Sequence, residues 1–172
     1  VKIGPSEAMS KSKKNTIDPE KIVSDYGADS VRLFILSDSP PEKDVQWSNQ
    51  GIEASYKFLQ KLWNLHQRIK TKIEGTSEGT EHKDLDKFTN QFIKNFSKNL
   101  ENFSYNVIIA NLHQMHSFLI KEIDKNLSTE KLRKNYTKIL TCMMPVIPHF
   151  TSECLEDLNY EKKNNKHFVK SE

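Results

Sequence analysis

A mainly α fold is what the sequence predicts: an antiparallel helical bundle preceded by a short polar loop and a helical connecting segment. Three observations carry it. Apolar residues recur at steps of three and four over long stretches, the spacing of a helix face. Only five Gly occur in 172 residues. The breaks between apolar rows fall at Pro, Gly and Ser, residues that stop or cap helices.

Residues 1–17 are polar, rich in Lys and Ser, and read as a loop after a strand end. Asp18-Pro19 combines an N-cap with Pro at the first helical position, so a short helix starts there and runs to about Tyr26. Gly27 ends it. Ala28 to about Leu36 forms a second helix, which Ser39-Pro40-Pro41 stops. Residues 42–50 are an irregular connector holding Trp47. A long helix follows, with Ile52, Tyr56, Leu59, Leu62, Trp63, His66, Ile69 and Ile73 on one stripe. Gly75 to Gly79 is a polar turn. Leu85, Phe88, Phe92, Phe96, Leu100 and Phe103 form the next stripe, and Ser104 can cap what comes after it. Ile108, Leu112, Met115, Leu119 and Ile123 form the third row. Ser128 can cap a fourth helix, with Leu132, Tyr136, Ile139 and Met143 inward. Pro145 and Pro148 break that helix, and a last short one runs from about His149 to Leu158. From Asn159 the chain is Lys- and Asn-rich and reads as a tail.

Composition excludes several classes. Collagen-like and disulfide-scaffold chains are ruled out by five Gly, six Pro and two Cys. No apolar run approaches the ~20 residues of a membrane span. The start, Val1-Lys2-Ile3-Gly4-Pro5, lacks the apolar segment of a secretory signal. It also lacks an initiator Met, as expected of an excised piece or a processed product. A net charge of +3 is too small to identify a nucleic-acid binder. The basic residues are almost all Lys; Arg32, Arg68 and Arg133 are the arginines. Cys142 and Cys154 match no C-x-x-C pattern and read as small buried hydrophobes in a reducing cytosol.

The chemistry-bearing stretch is Ala8-Met9-Ser10-Lys11-Ser12-Lys13-Lys14-Asn15. It is a flexible polar loop with three ammonium groups in four positions, just upstream of a helix. Small Ser residues let backbone N–H groups approach a polyphosphate, and Lys supplies mobile point charge. The competing reading is a solvated Lys-rich linker.

With its neighbours, the run resembles a known family. Met9 to Asn15, then Ile17-Asp18-Pro19, then Tyr26-Gly27-Ala28-Asp29-Ser30-Val31-Arg32 resemble the KMSKS region of class I aminoacyl-tRNA synthetases. Asp38-Ser39-Pro40-Pro41-Glu42-Lys43-Asp44-Val45-Gln46-Trp47-Ser48 looks like the leucine branch, as does Gly51-Ile52-Glu53 running into Phe58-Leu59-Gln60-Lys61-Leu62-Trp63. Asn102-Phe103-Ser104-Tyr105-Asn106 and Met144-Pro145-Val146-Ile147-Pro148-His149-Phe150 resemble landmarks of the anticodon-binding bundle.

The resemblance implies a division into 1–50, the end of a catalytic domain with its loop and stem-contact fold; 51–158, the anticodon-binding bundle; and 159–172, a linker to a further domain. It implies a cytoplasmic, monomeric enzyme that activates leucine with ATP, delivered as its Mg complex, and transfers it to tRNA(Leu). Lys11 takes the position of the lysine that stabilises departing pyrophosphate. Met9, Ser10, Ser12, Lys13 and Lys14 complete the ATP-binding loop. The family's first motif lysine is Ala8 here; a methyl cannot contact phosphate, so that role falls to Lys13 or Lys14 or goes unfilled. No His-x-Gly-His motif occurs, so the nucleotide-binding sheet is expected upstream and the chain alone is expected to be inactive. A stand-alone RNA-binding bundle, a protein-interaction bundle that ignores nucleic acid, and a valine or isoleucine relative are the alternatives.

Three weaker candidates remain. Arg68, Lys94 and Lys98, with Lys121 and Lys125, can meet tRNA phosphates or form a solvated face. His113 and His116 have a metal-compatible spacing but no obvious further ligands, so no bound metal is expected. Phe88, Phe92, Phe96 and Phe103 can stack bases, but at helical spacing they are expected in the core.

Overall fold

The computed structural model describes residues 7–38, 43–75, 79 and 83–158. The strand end before the polar loop, the Ser39-Pro40-Pro41 stop, most of the Gly75 to Gly79 turn and the 159–172 tail lie outside these residues. Among the described residues there are seven α-helices and no strand: α1 (Pro19–Tyr26), α2 (Ala28–Asp38), α3 (Asn49–Glu74), α4 (Lys83–Glu101), α5 (Tyr105–Glu122), α6 (Thr129–Met143) and α7 (Pro148–Asp157). No helix among them is long and apolar enough to cross a membrane.

The helix ends follow local chemistry. Asp18 accepts from the Glu20 N–H at 3.0 Å and Pro19 opens α1, the arrangement the Asp-Pro pair predicts. Gly27 closes α1 at φ 81°, ψ 152°, a conformation essentially restricted to Gly, and its N–H donates to Val23 O at 2.8 Å. Ser48 caps α3 by accepting from Gly51 N–H at 3.1 Å. Ser128 caps α6 through Lys131 N–H. Ser104 precedes α5 as expected but makes no side-chain cap bond; its N–H donates back to Asn99 O at 2.8 Å.

Helices α3 to α6 form the bundle, and their order around its axis is not their order in the chain. Helix α3 packs on α5 and α6, and α4 packs on the same two, so the ring runs α3, α5, α4, α6. Cross-helix contacts give the directions. Phe88 near the start of α4 stacks on Phe118 near the end of α5, at 3.8 Å and 8°. Arg68 near the end of α3 pairs with Asp124 just past α5. Lys131 and Asn135 of α6 meet Asp86 of α4. Successive helices are therefore antiparallel, while the adjacent pairs α3/α5 and α4/α6 are parallel. The core fills the ring: Leu62, Ile69, Leu85, Phe96, Ile108, Leu112, Leu119, Leu132 and Ile139 are all within 2% of complete burial.

Three stripe assignments need correction. Tyr56 and Trp63 are 36% and 37% exposed, whereas Phe58 and Leu65 are buried. Helix α3 is covered by α2, α5, α6 and α7, so its buried sector is wider than one stripe and displaced from the expected one. Phe103, expected at the end of the α4 row, is 61% exposed. It sits in the α4–α5 turn at φ 54°, which carries its side chain off the helix face. Phe92 and Phe96 are core, as expected, and Phe88 packs half-buried against it. Cys142 is half-buried and Cys154 buried, both free thiols. Burial pushes the Cys142 thiol up to about 11 and raises Cys154 further still.

Candidate functional site

The Lys-bearing segment is held by its own small polar side chains. Asn15 Oδ1 accepts from Ser10 N–H at 2.8 Å, and Asn15 Nδ2 reaches back to Ala8 O at 3.4 Å. Lys13 N–H donates to Ser10 O at 3.2 Å and to Ser10 Oγ at 3.3 Å, while Lys14 N–H donates to Lys11 O at 3.2 Å. The expected polar loop is thus two overlapping turns. The second closes with Lys14 at φ 54°, left-handed backbone that costs a non-glycine residue roughly 1–2 kcal/mol.

The three lysines differ. Lys13 Nζ is 2.6 Å from Glu7 Oε2. Lys11 and Lys14 are exposed and form no ion pair among the described residues. The turn therefore presents two uncommitted ammonium groups beside one neutralised by its own chain. Of the two residues that could substitute for the missing lysine at Ala8, Lys14 has no ion pair among the described residues and Lys13 has one.

The turn leads through α1 into a polar junction between α2 and the start of α7. Asp29 is 3% exposed. It accepts from Phe150 N–H at 2.7 Å, and its other oxygen lies 3.0 Å from His149 Nδ1. Helix α7 has Ile147 at its N-cap, with no side chain to accept its free N–H groups. Asp29, more than a hundred residues earlier, supplies that acceptor and places negative charge at the positive end of the helix. One turn along α2, Arg32 donates from Nε to Val146 O at 2.9 Å and from a terminal nitrogen to Pro145 O at 2.7 Å. The Arg fork spans two consecutive carbonyls, which a Lys cannot do.

Sequence reasoning missed this junction. An Asp in the first turn of a helix reads as a local dipole partner. The usable signal was Arg32, the one arginine in the first 50 residues of a Lys-rich chain. The other arginines behave alike: Arg133 donates to Leu158 O at 2.8 Å, and Arg68 pairs with Asp124 at 2.9 Å.

The remaining candidates separate. Arg68 is engaged by Asp124, whereas Lys94 and Lys98 on α4 are exposed without an ion pair among the described residues. Lys125 pairs with the buried Glu122. Lys121 is exposed near the end of α5. His113 stacks on Phe58 at 3.8 Å and His116 meets the same ring edge-on at 6.0 Å. Burial first, then the charge of Lys61, holds both histidines below their ordinary pKa. Among the described residues no group of three or more His, Cys, Asp or Glu is placed to hold a metal ion.

A buried polar chain ties α3 to α6 and α7. His66, fully buried, has Nδ1 3.2 Å from Tyr136 Oη and Nε2 3.2 Å from Asp157 Oδ2, and Lys70 pairs with the other Asp157 oxygen at 3.1 Å. Burial outweighs the attraction of Asp157 and keeps the His66 pKa below 6.5. The unfolded chain therefore takes up this proton first as pH falls, and the stability contributed by neutral His66 is present above about pH 6.5 and lost below it. His113 and His116 add in the same direction. The urea midpoint is expected to drop between pH 7.5 and pH 5.5, and His66→Gln to flatten that slope.

The family model described as the anticodon-binding domain of tRNA ligase matches residues 82–171, and that of class I tRNA synthetases (I, L, M and V) matches residues 4–48. The leucine–tRNA ligase of Bartonella quintana is 36% identical over 163 residues, covering 90% of this chain and 18% of the relative. That of Wolbachia pipientis is 34% identical over 164 residues, covering 94% and 20%. That of Orientia tsutsugamushi is 38% identical over 153 residues, covering 89% and 18%. The chain thus spans about a fifth of the length of these relatives. A solved structure, the ternary complex of Agrobacterium radiobacter K84 agnB2 LeuRS with tRNA and LeuAMS, matches with a TM-score of 0.73. It covers 87% of this chain and 20% of that one at 23% identity, a likeness of fold.

Proposed function

From the premise that the chain belongs to the anticodon-binding domain family of tRNA ligases, we propose that it forms the ATP-closing loop and tRNA-docking bundle of a leucine–tRNA ligase. In this reading residues 1–50 complete a catalytic domain and its stem contact, 51–158 are the docking bundle, and 159–172 lead to a further domain. The enzyme joins leucine to ATP with loss of pyrophosphate, then passes leucine to tRNA(Leu). Mg accompanies ATP as substrate. The setting is the cytoplasm, and the enzyme works as a monomer.

The observation that carries the reading is the junction at Asp29 and Arg32. It fastens the Lys-bearing turn, through α1 and α2, to the end of the bundle at Pro145 to Phe150. A linker that merely tethered two modules would need no buried carboxylate. A ligase that must bring ATP and a tRNA end together does need the two parts held in register.

Chemically, negative charge builds on the leaving pyrophosphate as leucyl-adenylate forms. The ammonium of Lys11, exposed and unpaired, stabilises it. Met9, Ser10 and Ser12 shape the turn that presents it, and Lys14 offers a second cation. Lys94 and Lys98 meet phosphates of the tRNA, while Arg68 does so only after releasing Asp124.

Phosphate contacts make binding salt-dependent. The chain is expected to bind tRNA(Leu) saturably, with affinity falling as salt rises from 50 to 200 mM. The Lys94→Ala, Lys98→Ala double variant should flatten the log–log salt slope by roughly two, about one per lost contact. Anisotropy titrations at several salt concentrations read this directly. Binding indifferent to salt would contradict the docking role.

A further inference from the structure

The α1–α2 junction, the middle of α3 and the start of α7 enclose a groove of about 640 Å³, open to solvent on one side. Its α3 wall carries Tyr56, Gln60, Trp63 and Asn64, at spacings of four, three and one, which share one helix face. Tyr56 is held edge-on by Tyr26 at 5.8 Å, and Trp63 by Phe150 at 6.4 Å. Helical periodicity alone would put both rings in the core, yet both remain more than a third exposed. Gln60 stands between them and Asn64 beside Trp63, both amides exposed and without a hydrogen-bond partner among the described residues. Glu153 on the α7 wall is likewise exposed and unpaired.

The charge of the groove selects its occupant. Among the described residues no Lys or Arg lines it. Asp29 is committed to Phe150 and His149, so among the described residues the free carboxylate is that of Glu153. A phosphate is repelled there. A purely aliphatic segment would leave two amides and a carboxylate without partners. A flat, uncharged group that stacks on aromatic rings and carries hydrogen-bonding edges satisfies every wall.

We infer that this groove captures an unpaired nucleobase of a docked RNA, one bearing an exocyclic amine. The base stacks against Trp63 or Tyr56. Its edge bonds to Gln60 and Asn64, and Glu153 accepts from the amine, which disfavours uracil. The inference rests on the proposed tRNA-docking role and names a contact within it.

The test uses the full chain with Trp47→Phe, leaving Trp63 as the single indole. Trp63 emission should be quenched saturably by tRNA(Leu), and more strongly by r(A)6 than by r(U)6. Glu153→Gln should abolish that preference. Trp63→Ala and Gln60→Leu should each weaken tRNA binding about tenfold. Gln60 is exposed, so Gln60→Leu leaves the urea midpoint unchanged and keeps the test sound if Trp63→Ala loosens the fold. If tRNA binds with Trp63 emission unchanged and both variants bind normally, the groove inference falls while tRNA docking stands. Equal quenching by adenosine 5′-monophosphate and r(A)6 would mark a free-nucleotide site and overturn the RNA assignment. Neither quenching nor tRNA binding would overturn both readings.

Discussion

In a leucine–tRNA ligase carrying these residues, Lys11→Ala is expected to slow leucine-dependent ATP–pyrophosphate exchange by a hundredfold or more. The size follows from the role. A preorganised cation directed at charge that develops only in the transition state contributes roughly 3–4 kcal/mol. Because that charge is absent in the ground state, the loss should fall on kcat rather than on the KM for ATP. Lys13→Ala makes the informative contrast. Lys13 is occupied by Glu7 in this structure, so its removal should cost far less. Lys14 is free, and Lys14→Ala should fall between the two. Stopped exchange assays on the three variants order them. Equal activity of Lys11→Ala and the parent would remove the ATP-closing role from this loop.

Asp29→Ala is expected to produce the largest loss of stability, about 3 kcal/mol. The carboxylate is 3% exposed and accepts two hydrogen bonds, one from the Phe150 amide. Removing it leaves that N–H buried without an acceptor and takes the negative charge from the start of α7. A charged hydrogen bond contributes roughly 1.5–3 kcal/mol, and the orphaned donor adds to the cost. Urea unfolding measures the total. Asp29→Asn keeps one acceptor oxygen and should recover part of it. Amide hydrogen exchange at Phe150 should accelerate in Asp29→Ala beyond what global destabilisation accounts for, because the cap is local. If exchange at Phe150 does not change, Asp29 is not the cap of α7.

The same residue connects stability to function. In an assembled ligase, Asp29→Ala should lower aminoacylation more than adenylate formation. The loop can still close over ATP, but it is no longer held in register with the docking bundle. A uniform loss in both steps would indicate general unfolding instead.

Much of the architecture was legible in the residues because it depends on near neighbours. Asp18-Pro19 and Gly27 bound α1 since a cap, a preset φ and a left-handed exit are properties of one or two residues. Ser128 caps α6 for the same reason. Leu85, Phe92 and Phe96 recur at helical spacing and are buried, because one face of α4 meets the core. The candidate loop was legible as composition: three lysines among small polar residues. Which lysine stays free was not: Glu7 lies four residues from Lys11 and six from Lys13, so sequence distance alone favours the wrong partner.

The local alphabet therefore determined that this protein is helical, that α1 opens at Asp18-Pro19 and α6 at Ser128, and that three lysines gather ahead of the first helix. Tertiary structure alone decided that α3 neighbours α5 and α6 rather than α4, that Tyr56 and Trp63 face a groove, and that Asp29 caps a helix more than a hundred residues away. The physical reason is one of range. Caps, turns and periodicity are energies of adjacent residues, readable wherever those residues stand. Ring order and long-range capping depend on which apolar faces and orphaned N–H groups meet once the whole chain is packed.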